Sequence, residues 1–129
     1  MKRILVAFLF LFSIGVFAQN PGCKKFKNGK FVIKNAEYGN FYIERKGNTQ
    51  IEYSDFSRTK LKFKVKWVKD CIYTLTLKKI LENPDNEILP ENMILTVKII
   101  ETKENSYIQQ SSSNLFSETQ ESEIFVYEE

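Results

Sequence analysis

Four lysines at every second position form the most distinctive chemical pattern of this sequence. They alternate with bulky apolar residues along one run, LKFKVKW at residues 61–67. Side chains of a β-strand point alternately to its two faces, so the four ammonium groups would share one face and stand about 7 Å apart. We call them the lysine row: Lys60, Lys62, Lys64 and Lys66. Such a row could bind an anionic partner, for example a lipid phosphate, an acidic polysaccharide or an acidic protein face.

The lysine row also has two explanations that need no partner. It could protect the edge of a sheet from pairing with another chain, or it could be a solvated face balanced by Glu44 and Glu52. Because exposed lysine is the ordinary condition in proteins, the sequence favours these explanations over an anionic partner.

The absence of histidine argues against catalysis. Without histidine the chain lacks the most common general base, the usual zinc ligand and the Ser-His-Asp arrangement. Acidic residues cluster at 82–91 and 118–129, but such clusters are typical of solvated surface rather than of a catalytic carboxylate pair. No D-x-D-x-D-G calcium motif occurs. The sequence therefore predicts a non-catalytic protein with no catalytic residue, no metal site and no cofactor.

Cys23 and Cys71 are the only cysteines, and we expect them to form a disulfide. An even cysteine count in an exported chain favours a disulfide. A bridge between residues about 48 positions apart would restrict the unfolded chain and so stabilise the fold by ~4 kcal/mol. Two alternatives remain. One is a lipid attached to Cys23, and the other is a metal or redox pair, which would be a poor zinc site without histidine.

The N-terminus has the pattern of a secretory signal peptide. Lys2 and Arg3 precede an apolar run at residues 4–17, and Ala18 stands before the predicted cleavage point. The run is too short to span a membrane. We therefore expect a signal peptide at 1–18, a single domain at 19–129, no transmembrane segment, and a location in the periplasm or outside the cell. A lipid anchor on Cys23 is the lesser alternative, because polar residues separate Cys23 from the apolar run.

The rest of the chain divides into short runs rich in β-branched and aromatic residues. Asn28-Gly29 predicts a tight hairpin between strands at 23–27 and 30–34, and apolar residues alternate at 71–77 and 93–99. The polar stretch 109–114 has the composition of a loop. About eight strands at close spacing predict an all-β antiparallel meander that closes, wholly or partly, into a small barrel of lipocalin-like architecture. A β-sandwich is the alternative.

Four segments resemble a family of small exported proteins of Bacteroidetes-type bacteria: CKKFKNGKF at 23–31, IER at 43–45, VKWVKDCIYTL at 65–75 and IETKENSY at 100–107. The resemblance covers nearly the whole of residues 19–129. It implies an exported protein with a single domain, but it implies no mechanism, since the members of the family are uncharacterised. Many of them carry the label "DNA topoisomerase IV".

The residues contradict that label. A type II topoisomerase needs a glycine-rich phosphate loop and an acidic metal site. The five glycines of this chain never approach a G-x-G or P-loop spacing, and no Asp-x-Asp pair occurs. Export would also separate the chain from the chromosome. We therefore reject topoisomerase activity and expect no nucleic-acid partner.

Aromatic side chains near the middle of the chain suggest a ligand cavity. Small barrels can line a cavity with such residues, and the candidates here are Phe63, Trp67 and Tyr73. Our main hypothesis is a secreted or periplasmic binding protein for a small apolar or anionic lipid-like molecule. The alternative is an envelope protein without a ligand cavity, whose basic residues, concentrated at 19–79, dock an acidic partner. A weaker third hypothesis is an enzyme that uses carboxylates alone.

Overall fold

A closed barrel of eight antiparallel strands forms the body of the protein. The computed structural model describes residues 22–127, so the signal peptide predicted at 1–18 lies outside the described residues. Each strand pairs with the next along the chain, and the last strand closes the barrel by pairing with the first. The strands are β1 Gly29–Asn35, β2 Gly39–Lys46, β3 Thr49–Ser54, β4 Lys60–Lys69, β5 Ile72–Glu82, β6 Ile94–Thr102, β7 Ser106–Ser113 and β8 Gln120–Val126. The predicted meander is confirmed, and it forms a barrel rather than a sandwich.

The alternation of apolar and polar residues explains the core of the barrel. In β4, Phe63 and Val65 are buried, whereas the lysines on either side of them face outward. In β5, Tyr73 and Leu75 are buried in the same alternating way, and Val65 lies directly opposite Leu75. Complete burial of a large apolar side chain contributes about 1.5–3 kcal/mol. The sheet closes where Phe31 and Val32 of β1 pair with Val126 and Phe125 of β8.

A short 3-10 helix, Cys23–Phe26, covers one end of the barrel, which we call the closed end. Phe26 is buried, and its ring packs against those of Phe31 and Tyr107 at centroid distances of 6.4 and 5.0 Å. A disulfide joins Cys23 to Cys71, with 5.5 Å between their Cα atoms. The predicted disulfide is thus confirmed, and it holds the 3-10 helix against the start of β5.

Residues 23–27 are therefore not the first strand of a hairpin, and that prediction was wrong. Gly29 already belongs to β1, where it has a φ of 140°. The Asn28 side chain accepts a hydrogen bond at 2.7 Å from the backbone N–H of Gly47, in the turn between β2 and β3. Asn28-Gly29 thus joins the 3-10 helix to the barrel and does not close a two-residue turn.

The opposite end of the barrel, which we call the mouth, carries the other set of connections. In a meander every second connection lies at the same end, so segments 36–38, 55–59, 83–93 and 114–119 form the mouth. These segments contain six carboxylates and one basic residue, Arg58, which pairs with Asp85 at 3.2 Å. At the closed end, Lys24 and Lys25 lie in the 3-10 helix and Lys27 follows it directly. The barrel therefore has an acidic mouth and a more basic closed end.

The polar stretch at 109–114 is mostly strand, so the predicted loop there was also wrong. β7 continues to Ser113, and Gln109 and Ser111 pair with Ser122 and Gln120 of β8. The four paired residues line a cavity inside the barrel. Apolar periodicity cannot reveal a strand whose inward-facing side chains are polar.

Candidate ligand cavity

A buried arginine lies in the interior of the barrel. Arg45 on β2 is 1% exposed, because the alternation along the strand puts it on the same inner face as Ile43. Its Nε donates a hydrogen bond to Oε1 of Gln50 at 2.8 Å, and its Nη1 donates to the carbonyl oxygen of Phe26 at 2.7 Å. Arg45 therefore connects the barrel wall to the 3-10 helix at the closed end.

Two tyrosines complete the surroundings of Arg45. Its Nη2 donates to the hydroxyl of Tyr73 at 2.8 Å and to that of Tyr107 at 3.0 Å. The guanidinium carbon lies 4.6 Å from the ring centroid of Tyr73 and 5.1 Å from that of Phe31, within the range of cation–π contacts. We call Arg45, Gln50, Tyr73, Tyr107 and the Phe26 carbonyl the Arg45 network.

Arg45 keeps its charge in this buried position. Burial by itself would lower the pKa of Arg45, but interactions with Tyr73, Tyr107 and Glu52 outweigh burial and leave the pKa raised above its ordinary value. Among residues 22–127, no carboxylate lies within ion-pair distance of Arg45, so neutral oxygens accept its hydrogen bonds. Burying a cation in this way is costly compared with an apolar core of the same volume.

Gln50 connects the Arg45 network to a carboxylate. Gln50 is buried, and its Nε2 donates to Oε2 of Glu52 at 3.2 Å. Glu52 is half-buried on the inner face of β3, opposite Ile43 and Leu61. Burial raises the pKa of Glu52, and the hydrogen bond from Gln50 and the charge of Arg45 offset only part of this effect. Within the described part of the chain, the Gln50 amide is the only side chain that donates to the Glu52 carboxylate.

A cavity of about 230 Å³ lies over these polar groups. Four polar side chains form what we call the floor of the cavity: Gln50, Glu52, Tyr73 and Gln109. The Tyr73 hydroxyl donates to Oε1 of Gln109 at 3.4 Å, which joins the two halves of the floor. The walls are mixed: the apolar side chains are Ile33, Phe41, Ile43, Leu75, Leu95 and Val97, and the polar ones are Asn35, Ser111, Gln120 and Ser122. The cavity thus combines a polar floor with walls that offer both apolar contact and hydrogen-bonding groups, two features that small-molecule sites use together.

A second space of about 420 Å³ adjoins the cavity at the mouth. The two share Leu95, Ser111 and Gln120, and the outer one continues to Phe116 and Glu118 in the segment 114–119. Together they form a cup whose floor lies next to the Arg45 network. The outer space thus lies between the cavity and the segment 114–119 of the mouth.

Of the three aromatic residues predicted to line a cavity, the structure places only Tyr73 there. Phe63 is 4% exposed and belongs to the packed core. Trp67 is half-buried, with its ring 4.6 Å from that of Tyr73 and the Lys27 ammonium 4.8 Å from its centroid. Trp67 therefore contacts the back of the floor and not the cavity itself.

The lysine row lies on the outer surface of the barrel, away from the cavity. Lys62, Lys64 and Lys66 are exposed, and Lys60 is half-buried. β4 lies between β3 and β5, so the row does not protect a sheet edge, and that explanation was wrong. Glu52, which was expected to balance the row, faces the interior instead. None of the four lysines forms an ion pair with another described residue.

The described residues contain neither a cluster of metal-binding side chains nor a helix that could cross a membrane. Across 22–127, no group of three or more Cys, Asp or Glu side chains is placed to hold a metal ion. In the same range, no helix is long and apolar enough to cross a membrane. The disulfide indicates an oxidising, exported compartment.

Sequence reasoning missed Arg45, Gln50, Glu52 and Gln109. No local pattern marks the first three, and only the register between neighbouring strands places them inside the barrel. Arg45 is two residues from Ile43, and a hairpin turn at Gly47-Asn48 brings Gln50 opposite Arg45 and Glu52 opposite Ile43.

Comparison of the chain with protein-family models, with curated proteins and with solved structures finds no match. The resemblance to exported Bacteroidetes-type proteins therefore stays a prediction.

Proposed function

We propose that this protein binds a small molecule inside the barrel and performs no catalysis. The observation that carries the proposal is a cup-shaped cavity whose floor is built from buried, mutually bonded polar side chains. A barrel that serves only as a scaffold would be more stable with apolar residues at these positions. Costly polar groups that surround an accessible cavity are typical of binding sites. The protein would act in the periplasm or outside the cell.

The volume of the cavity limits the size of the ligand. A cavity of about 150 Å³ holds a benzene molecule, so the inner cavity of about 230 Å³ fits a ligand only moderately larger. A long acyl chain would have to extend into the outer space at the mouth. The cavity volume thus favours a small ligand over the lipid-like molecule expected from the sequence.

Nuclear magnetic resonance titration tests the proposal. We expect fragments of up to about ten non-hydrogen atoms to shift the backbone amide signals of β3, β5 and β7 near the cavity floor. Ser111→Phe should block binding, because Ser111 lines the cavity. Gln110→Phe is the matched control, because Gln110 is exposed on the same strand. The proposal fails if no fragment shifts these signals at millimolar concentration, or if Ser111→Phe binds as well as the wild type.

A second candidate function is docking of the lysine row to an acidic polysaccharide. Lys62 lies directly opposite Lys79 on β5, and two like charges in this position repel unless an anion lies between them. The triple variant Lys62→Glu, Lys64→Glu, Lys66→Glu should then lose retention on immobilised heparin at about 0.15 M salt, where the Debye length is ~8 Å. A triple variant at Lys24, Lys25 and Lys27 is the control. If both variants are retained equally, the lysine row is not the binding site for the polysaccharide.

A further inference from the structure

The floor of the cavity exposes a hydrogen-bond acceptor that no described residue fills. Only one oxygen of Glu52, Oε2, accepts a hydrogen bond from a side chain. Every fully buried side-chain nitrogen and oxygen in residues 22–127 has a partner, so the second oxygen of Glu52 is accessible from the cavity. This oxygen can accept a hydrogen bond from a ligand that donates one.

The positive charge beneath the floor is not available to a ligand. Arg45 is 1% exposed, and all three of its guanidinium nitrogens donate hydrogen bonds to protein oxygens. Gln50 and Tyr73 lie between Arg45 and the cavity, because they line the cavity and bond to Arg45. An anionic head group would therefore meet the Glu52 carboxylate without reaching the guanidinium.

The charges at the mouth also favour a cationic ligand over an anionic one. The four mouth segments contain six carboxylates, and their single basic residue, Arg58, is already paired with Asp85. Glu118 lines the outer space through which a ligand would pass. Such a distribution raises the local concentration of cations and lowers that of anions at the entrance.

We propose that the cavity selects small primary amines with an apolar body, whose ammonium group binds the Glu52 carboxylate while the body packs against the apolar side chains of the walls. This inference rests on the proposed function and names its ligand class. It differs from the anionic or apolar ligand expected from the sequence. The ammonium group would donate to Glu52, and Leu75, Leu95 and Val97 would contact the apolar body.

Three probes of nearly equal shape separate the ligand classes. Benzylamine, benzyl alcohol and benzoate share a phenyl ring and differ in the charge of the polar group. Their affinities for the protein with residues 19–129 can be measured at pH 7 by titration of the amide signals. We expect benzylamine to bind at least about tenfold more tightly than benzyl alcohol, because its ammonium group forms an ion pair with the carboxylate, whereas a neutral hydroxyl only donates a hydrogen bond to it. Benzoate should bind most weakly.

The variant Glu52→Gln removes the charge and keeps the shape of the side chain. It should weaken benzylamine binding by about tenfold and benzyl alcohol binding by clearly less, because a hydroxyl can still donate to the amide oxygen that replaces the carboxylate. Glu44→Gln is the matched control, because Glu44 is exposed on the neighbouring strand β2 and should not alter either affinity. The comparison of probes on the wild type remains decisive if Glu52→Gln does not fold.

The outcomes distinguish the inference from the function on which it rests. Tighter binding of benzylamine that depends on Glu52 supports both. Equal or tighter binding of benzyl alcohol or benzoate inside the cavity overturns amine selection and leaves the binding function standing. If none of these probes and no other fragment shifts the signals of the cavity residues, both the inference and the proposed function are wrong.

Discussion

Replacement of Arg45 by methionine tests whether the Arg45 network stabilises the fold. The guanidinium makes four hydrogen bonds, to Gln50, Phe26, Tyr73 and Tyr107, at 2.7–3.0 Å. A hydrogen bond to a charged group contributes about 1.5–3 kcal/mol, but the contributions are not additive, and loss of the buried charge offsets part of them. The tyrosine hydroxyls can rearrange, whereas the Phe26 carbonyl and Oε1 of Gln50 would lose their donor. Two buried acceptors without a donor cost about 1–3 kcal/mol each, so we expect Arg45→Met to lower the free energy of unfolding by about 2–4 kcal/mol.

Urea unfolding followed by Trp67 fluorescence measures this loss, since the Trp67 ring packs on Tyr73. Arg45→Lys should fall between Arg45→Met and the wild type, because an ammonium group cannot form the planar fork of a guanidinium. Lys46→Met is the control, since Lys46 is exposed on the same strand, and it should change stability by no more than about 0.5 kcal/mol. A loss below about 1 kcal/mol for Arg45→Met would refute the stabilising role of the network.

Three further predictions concern stability. Replacing Cys23 and Cys71 by serine should cost about 4 kcal/mol in urea unfolding, because the bridge spans 48 residues, and an unchanged midpoint would contradict this. Glu52→Gln should stabilise the fold at pH 7: the pKa of Glu52 is raised on folding, so wild-type stability falls as pH rises through that pKa. This gain in stability should vanish near pH 4, where the carboxyl is protonated in both states, and thermal unfolding at pH 7 and pH 4 checks it. An equal gain at both pH values would exclude the ionisation of Glu52 as its cause. Gly39→Ala should cost about 1–3 kcal/mol, because Gly39 has a φ of 75° next to Asp55, and wild-type stability would disprove the strain.

The fold could be predicted from the sequence because β4 and β5 have unambiguous alternation. Phe63 and Val65 alternate with lysines, and Tyr73 and Leu75 alternate with threonines, so both strands have only one possible inner face. The disulfide could be predicted because the chain has only two cysteines. These two features determine the meander and the covered end of the barrel.

The cavity could not be predicted because its polar residues resemble surface residues. In β3, Ile51 and Tyr53 alternate with Gln50 and Glu52, which suggests that the apolar pair faces inward. The structure shows the opposite orientation, since Gln50 and Glu52 line the cavity. Only the pairing with β2 and β4 establishes which face is inside, and that pairing is a tertiary property.

The 3-10 helix was missed for a related reason. The sequence Asn28-Gly29 matches a two-residue hairpin turn, and local preference alone favours a strand before it. The disulfide and the packing of Phe26 on Tyr107 instead draw this segment across the end of the barrel. Long-range contacts override the local signal here.

The most direct test of a ligand site inside the barrel is the detection of nuclear Overhauser effects between bound benzylamine and the protein. Binding in the cavity predicts effects from the ligand ring to the methyl groups of Leu75, Leu95 and Val97. Effects only to outward-facing side chains such as Ile51 or Val68, or none at saturating benzylamine, would contradict a binding site within the barrel.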